Sequence, residues 1–274
     1  MKFSKKAYFS ILICGVAIYV VLMAIFTFID FKITSSLYKP GTHFGKIFEA
    51  IGPMFMPLFM IYSIVGLFVQ LKFKRNSSKI LSYIGLGFSY IYATFMGVMT
   101  HKHSYASWMF IPSIIIYVLF TVFVVILNFK FKTKEETYIK KHITILLVMF
   151  ITCSISLMGV DIIKCIFGRL RYIEKKSADE FRYWFYINKF SFNSSFPSGH
   201  AARAMTAVCF SLLPLYWNKS KVSIVIQLIA IAFAVTVSIS RLFEGMHYVT
   251  DIITGLFIVC VAFFVSKYKL KVCT

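Results

Sequence analysis

The sequence predicts an all-α, polytopic membrane helical bundle of about eight transmembrane helices, and three observations predict it. Of the 274 residues, 59% are hydrophobic against 15% charged, and the mean hydropathy is +0.79, more apolar surface than a water-soluble globule can hide. Several runs reach the roughly 20 residues that a helix needs to cross the hydrocarbon. The basic residues gather in the short connections between alternate runs, the pattern that orients a protein in a bilayer.

Taken in order, the runs 7–29, 51–71, 80–100 and 104–129 contain no Asp, Glu, Lys or Arg. Four further segments, 143–164, 200–217, 222–241 and 248–266, are apolar with charges near their ends. The leading "MKFSKK" resembles the basic region of a secretory signal, but the apolar run after it is too long and no A-x-A-like cleavage site follows, so a retained helix is expected. The chain divides into N-terminal membrane helices over 1–142 and a catalytic membrane core over 143–274. No internal repeat, low-complexity tract or soluble domain stands out.

A formal net charge of +20 would suit nucleic acid in a soluble protein, but here it follows the helix ends. With the N-terminus inside, the inner connections hold Lys2, Lys5 and Lys6; Lys72, Lys74, Arg75 and Lys79; Lys130, Lys132, Lys134, Lys140 and Lys141; Lys219 and Lys221; and Lys267, Lys269 and Lys271. Every short inner connection is basic. Both termini are therefore expected in the cytoplasm, the protein in the cell (plasma or inner) membrane, and no nucleic-acid partner is implied. Cys14, Cys153, Cys165, Cys209, Cys260 and Cys273 show no CxxC spacing, which indicates neither a disulfide frame nor a zinc site.

The long connection 165–199 contains "FRYWFYINKFSF", a mixture of rings and cations that suits headgroup depth, either as a plain aromatic belt or as a grip on a lipid substrate. On the outer side cations cluster in "KCIFGRLRY", with Lys164, Arg169 and Arg171, and at Arg241. Ionisable groups near membrane depth are costly and mark functional sites; snorkelling anchors are the alternative.

Three pieces can build one outer pocket. In "SSFPSGHAARA", Pro197 and Gly199 make a tight turn into a helix whose free N–H groups favour an anion, while Ser198 adds a hydroxyl and His200 an imidazole. A plain helix N-cap is the simpler reading of that tetrad alone. In "SRLFEGMHYVTD", His247 and Asp251 are four apart, so on a helix the carboxylate can hold one ring nitrogen while the other points into a site, unless the pair is only a structural hydrogen bond. Lys164 and Arg171, seven apart, share a side of a helix if Gly168 does not break it. Three permanent cations, two histidines and a helix N-terminus suit a phosphoryl group, whose transition state needs positioned donors.

Together, Lys164 with Arg171, the run Pro197-Ser198-Gly199-His200, and Ser240-Arg241 leading to His247 and Asp251 resemble the three-part signature of the type-2 phosphatidic acid phosphatases, relatives of the vanadium-dependent haloperoxidases. The resemblance spans about 164–251 and agrees in order and internal spacing. It departs at Tyr172, where the family usually has Pro, and in size, since the family's usual core has six membrane helices. The resemblance implies that His247 attacks phosphorus with Asp251 orienting it, and that His200 protonates the leaving oxygen and then activates water. It also implies that Lys164, Arg171, Arg241, the Ser198 hydroxyl and the Gly199 amide hold the phosphate oxygens. No cofactor and no metal are implied; turnover should survive EDTA and be blocked by vanadate.

Asp161 can pair with Lys164, Arg203 can reach the same pocket, and Glu244 has no evident role; "HKH" at 101–103 reads as a solvated loop rather than a metal site. The expected protein is thus a membrane phosphatase acting on a lipid phosphate or diphosphate in the outer leaflet. Undecaprenyl diphosphate ranks first, and phosphatidylglycerol phosphate, phosphatidic acid and lipid A phosphates are the alternatives. A transporter or channel is the rival from another class, and a haloperoxidase is a more remote one.

Overall fold

The computed structural model describes residues 5–71, 76–102, 109–187 and 194–270, and among these the chain is all-helical. Helix α1 (Lys5–Leu37) turns all of its length into one apolar rod, with Ile13, Ile18 and Phe28 more than half exposed, as lipid-facing side chains are. Short α2 (His43–Ile51) is capped by the Thr42 hydroxyl, which accepts from the Gly45 amide at 3.0 Å, and ends at Gly52-Pro53. Helix α3 (Phe55–Gln70) is almost wholly buried and packs against α4 (Asn76–Lys102), α5 (Phe110–Phe131) and α6 (Glu136–Ser154). A π-helical turn over Ile155–Gly159 carries α6 into α7 (Val160–Phe167). Helix α8 (Gly199–Met205) runs on as a 3₁₀ stretch, Thr206–Trp217, before α9 (Ser220–Phe243) and α10 (Val249–Lys269).

Six of the eight expected segments coincide with spans long and apolar enough to cross a membrane: Lys6–Leu37, His43–Gln70, Phe110–Phe131, Glu136–Glu174, Ser220–Phe243 and Val249–Lys269. The other two, 80–100 and 200–217, are helical as well but have different characters. Helix α4 dilutes its apolar residues with Gly85, Gly87, Ser89 and Thr94. The 200–217 segment changes register at Thr206, and Pro214 supplies no amide to an α-helical bond there. Rising about 1.5 Å per residue over α8 and about 2 Å per residue over the 3₁₀ stretch, it covers roughly 34 Å, enough for the hydrocarbon.

Pairings at the helix ends show that successive segments alternate in direction. At one end Phe68 of α3 meets Tyr83 of α4 at 4.3 Å, Gln70 donates to the Asn128 carbonyl of α5 at 2.9 Å, and His142 of α6 contacts Asn128 Oδ1 at 2.8 Å and the Tyr216 hydroxyl. Tyr8 of α1 stacks on Tyr268 of α10 at that end. At the other end the last turn of α1 is tied to α9, where the Lys39 amide donates to the Phe243 carbonyl at 2.9 Å. There α7 ends and α8 and α10 begin, and the candidate site lies among them. Gly168 stops α7 with φ +54°, a left-handed conformation that favours glycine. Gly255 lets α8 lie directly on α10, for a Cβ there would stand 2.5 Å from the Ser198 carbonyl oxygen.

Candidate active site

The turn before α8 is fixed from three sides. The Ser195 amide donates to the Arg169 carbonyl at 2.7 Å, the Arg169 amide donates to Ser194 Oγ at 2.9 Å, and the Ser198 amide donates to the Asp251 carbonyl at 2.8 Å. Lys164, buried on α7, donates from Nζ to the Ser194 carbonyl. Ser198 is the N-cap of α8, accepting from the Ala201 amide at 3.3 Å, so the simple capping role is real; its hydroxyl proton is left for another acceptor. Gly199 places the first helical amide next to Lys164, whose Cε would lie 3.6 Å from a Cβ at that position.

His247 is buried, and its place corrects the expectation for the pair it forms with Asp251. The two do not share a helix face, because α10 begins at Val249 with Tyr248 as its cap. His247 Nδ1 donates to the Ser195 carbonyl at 2.7 Å, while Asp251 Oδ2 stands 3.7 Å away, beyond hydrogen-bond range. A carbonyl can only accept, so it fixes the proton on Nδ1 and leaves the Nε2 lone pair unprotonated. Asp251 acts on His247 as a nearby charge, its own oxygens taken by the Tyr248 amide at 2.8 Å and by Arg169 at 2.6 Å. Burial pulls the His247 imidazole down to about 4; Lys164 and Arg171 add to the shift and Asp251 opposes it.

His200, one residue inside α8, faces His247 with ring centroids 6.4 Å apart. Its Nε2 is buried, and the cations of Arg241, Arg203 and Arg171 act on the ring alongside that of His247. Arg171 lies beyond the break at Gly168 on extended backbone, as the capping residue of a 3₁₀ turn, Tyr172–Glu174, so the helical alignment with Lys164 does not hold. One of its η nitrogens is 3.6 Å from Glu174. Tyr172, in the place the family gives to Pro, opens that turn and packs its ring on Tyr38 at 5.1 Å. Arg241, fully buried, donates from Nη2 to the Gly45 carbonyl at 2.6 Å and lies 3.6 Å from Glu49 of α2.

Six buried polar atoms in this cluster have no hydrogen-bond partner among the described residues: Arg171 Nε, Arg241 Nη1, His200 Nε2, Glu49 Oε2, Ser195 Oγ and Tyr248 Oη. Buried polar atoms are seldom left unmatched, and several donors open in one place mark where an anion with several oxygens fits.

Several side chains that sequence reasoning left unassigned belong to the site. Arg169 is 1% exposed and joins Asp251 to Asp30 of α1. Glu49 feels Arg241, Glu244 and Arg171. Glu244 accepts from the Gly41 amide at 3.0 Å and the Thr42 hydroxyl at 3.3 Å, holding the α1–α2 connection against the end of α9. Asp161 sits under the charges of Arg203 and Lys164. The imidazoles of "HKH" and residues 188–192 of the aromatic loop lie outside the described residues. The available signal for Asp30 and Glu49 was a lone carboxylate at either flank of an apolar run.

Residues 142–272 match the family model described as the PAP2 superfamily. No curated protein and no solved structure matches the chain.

Proposed function

We propose that this chain, a PAP2-superfamily member through its residues 142–272, is a membrane-embedded phosphatase that cleaves a lipid phosphate or diphosphate through a phosphohistidine. The observation that carries the reading is a group of buried polar atoms without a hydrogen-bond partner, Arg171 Nε, Arg241 Nη1 and His200 Nε2, near a histidine whose tautomer is already set. In the first step His247 Nε2 bonds to phosphorus as the phosphorus–oxygen bond to the leaving group breaks, and His200 hands its proton to that oxygen. In the second step His200 takes a proton from water, whose oxygen attacks phosphorus and releases His247 and inorganic phosphate. Lys164, Arg171, Arg241, the Ser198 hydroxyl and the Gly199 amide hold the other phosphate oxygens. The anion's charge offsets the cations around His200, so substrate itself lets that ring carry a proton.

Undecaprenyl diphosphate is the favoured substrate: two linked phosphates match several cations better than one monoester does, and the outer leaflet is where that lipid is exposed if the termini are cytoplasmic. Phosphate release from undecaprenyl diphosphate, phosphatidylglycerol phosphate, phosphatidic acid and a lipid A phosphate by purified protein tests both levels. Release from the diphosphate at a kcat/KM at least tenfold above the others is expected. Release from none of the four overturns the phosphatase reading and leaves the transporter.

A further inference from the structure

We infer that Asp30, on the first membrane helix, is a positioning residue for the nucleophile: through Arg169 and Thr250 it fixes the Asp251 carboxylate beside His247. The inference rests on the phosphatase reading above. It also places a required group on α1, outside the 142–272 segment.

Asp30 is 1% exposed, at membrane depth within Lys6–Leu37, where an isolated carboxylate is costly and has to be matched. It is matched by three donors. Arg169 Nη2 reaches Asp30 Oδ2 at 2.9 Å, the Thr250 amide reaches Oδ1 at 3.1 Å, and the Thr250 hydroxyl reaches Oδ2 at 2.5 Å. Arg169 uses the rest of its fork on the far side: Nη1 donates to Asp251 Oδ1 at 2.6 Å and to Thr250 Oγ1 at 3.0 Å, and Nε donates to the Arg182 carbonyl at 3.0 Å. The guanidinium also lies 4.0 Å from the Tyr248 ring centroid. Thr250 and Asp251 open α10 three and four residues after His247, so whatever fixes them fixes the approach of the nucleophile.

Two carboxylates share one guanidinium, so with both ionised the Asp30–Arg169–Asp251 triad carries one net negative charge. That has two consequences for His247. Asp30 holds one side of the guanidinium fork; without it the fork is free to turn both η nitrogens onto Asp251 and draw that carboxylate from its place 3.7 Å from Nδ1. Bonding of Nε2 to phosphorus makes the imidazole cationic, and the net negative charge one link away stabilises that cation more than a neutral Arg169–Asp251 pair would. Both effects act on the chemical step, and neither touches substrate.

The test is a double-mutant cycle on purified protein with Asp30→Asn, Asp251→Asn and the double variant, reading kcat and KM for phosphate release from the best lipid of the panel. Asp30→Asn should lower kcat by roughly 10- to 100-fold with KM within about threefold, and Asp30→Glu should recover part of the loss. In the Asp251→Asn background the same change should cost less than about threefold, because its route to His247 is gone. Equal losses in both backgrounds would make Asp30 an anchor for α1 and nothing more; a wild-type kcat in Asp30→Asn would remove even that. Should Asp30→Asn fail to fold, Thr250→Val, which deletes the hydroxyl shared by Asp30 and Arg169, decides by the same two readings. Wild-type turnover run alongside separates the claims: its absence overturns the phosphatase reading and this inference with it, whereas its presence with an indifferent Asp30 overturns this inference alone.

Discussion

His247 has one nitrogen committed to the Ser195 carbonyl and one open, and its titration reports that arrangement. A base whose folded-state pKa is depressed takes its proton first in the unfolded chain. Its contribution to stability is therefore complete above about 6.5 and is lost as pH falls from there towards 4. NMR of protein labelled at the histidine rings, solubilised in detergent, should show His247 neutral at pH 6.5 and taking its proton only as pH approaches about 4; a midpoint at or above 6.5 would contradict the burial and the cationic surroundings. Turnover should fall by roughly 10³-fold or more in His247→Ala and by less in Asp251→Asn, since an orienting charge is less costly to lose than the nucleophile. Residues with chemically distinctive side chains were legible here: His200, His247, Asp251, Lys164 and Arg171 all reach one end of the bundle. The partner of Nδ1 was not legible, because it is a backbone carbonyl and a carbonyl leaves no mark in a sequence. That carbonyl takes the Nδ1 proton, and the Asp251 carboxylate stands beside the same nitrogen at 3.7 Å.

Among the elements, α8 is held at close quarters by α10. Its first turn lies on α10 at Gly255, where a methyl group would stand 2.5 Å from the Ser198 carbonyl oxygen. Gly255→Ala should therefore cost about 1–3 kcal/mol and lower kcat together with stability, because relief of the clash moves Ser198, Gly199 and His200. Thermal unfolding in detergent with phosphate release checks this, and an unchanged midpoint would show that the helices are not in contact as described. The apolar runs disclosed the helices because hydropathy records burial and length. They could not disclose the 3₁₀ stretch Thr206–Trp217 or the π turn Ile155–Gly159, since side-chain polarity does not report which carbonyl an amide selects. Nor could they show that α2 stops at Gly52-Pro53 and brings Glu49 onto Arg241.

At the scale of the whole molecule, the segments alternate so that the site occupies one end and Lys130, Lys132, Lys134, Lys140, Lys141, Lys219 and Lys221 the other. By the positive-inside rule we propose that the site faces outward. In a cysteine-free background, a cysteine at exposed Lys176 should react with a membrane-impermeant reagent in intact cells and one at exposed Thr133 should not; the reverse would move the site to the inner face and favour phosphatidylglycerol phosphate. Asp30 and Glu49 also show that the N-terminal helices do more than extend the bundle, because both send carboxylates into the cluster that the 142–272 segment carries. The central claim is that phosphorus passes through His247. Purified protein mixed with lipid phosphate labelled in its terminal phosphoryl group and quenched in alkali, where phosphohistidine survives, should carry label that mass spectrometry places on residue 247 and that His247→Ala lacks. Undiminished phosphate release by His247→Ala, or label on any other residue, would contradict it.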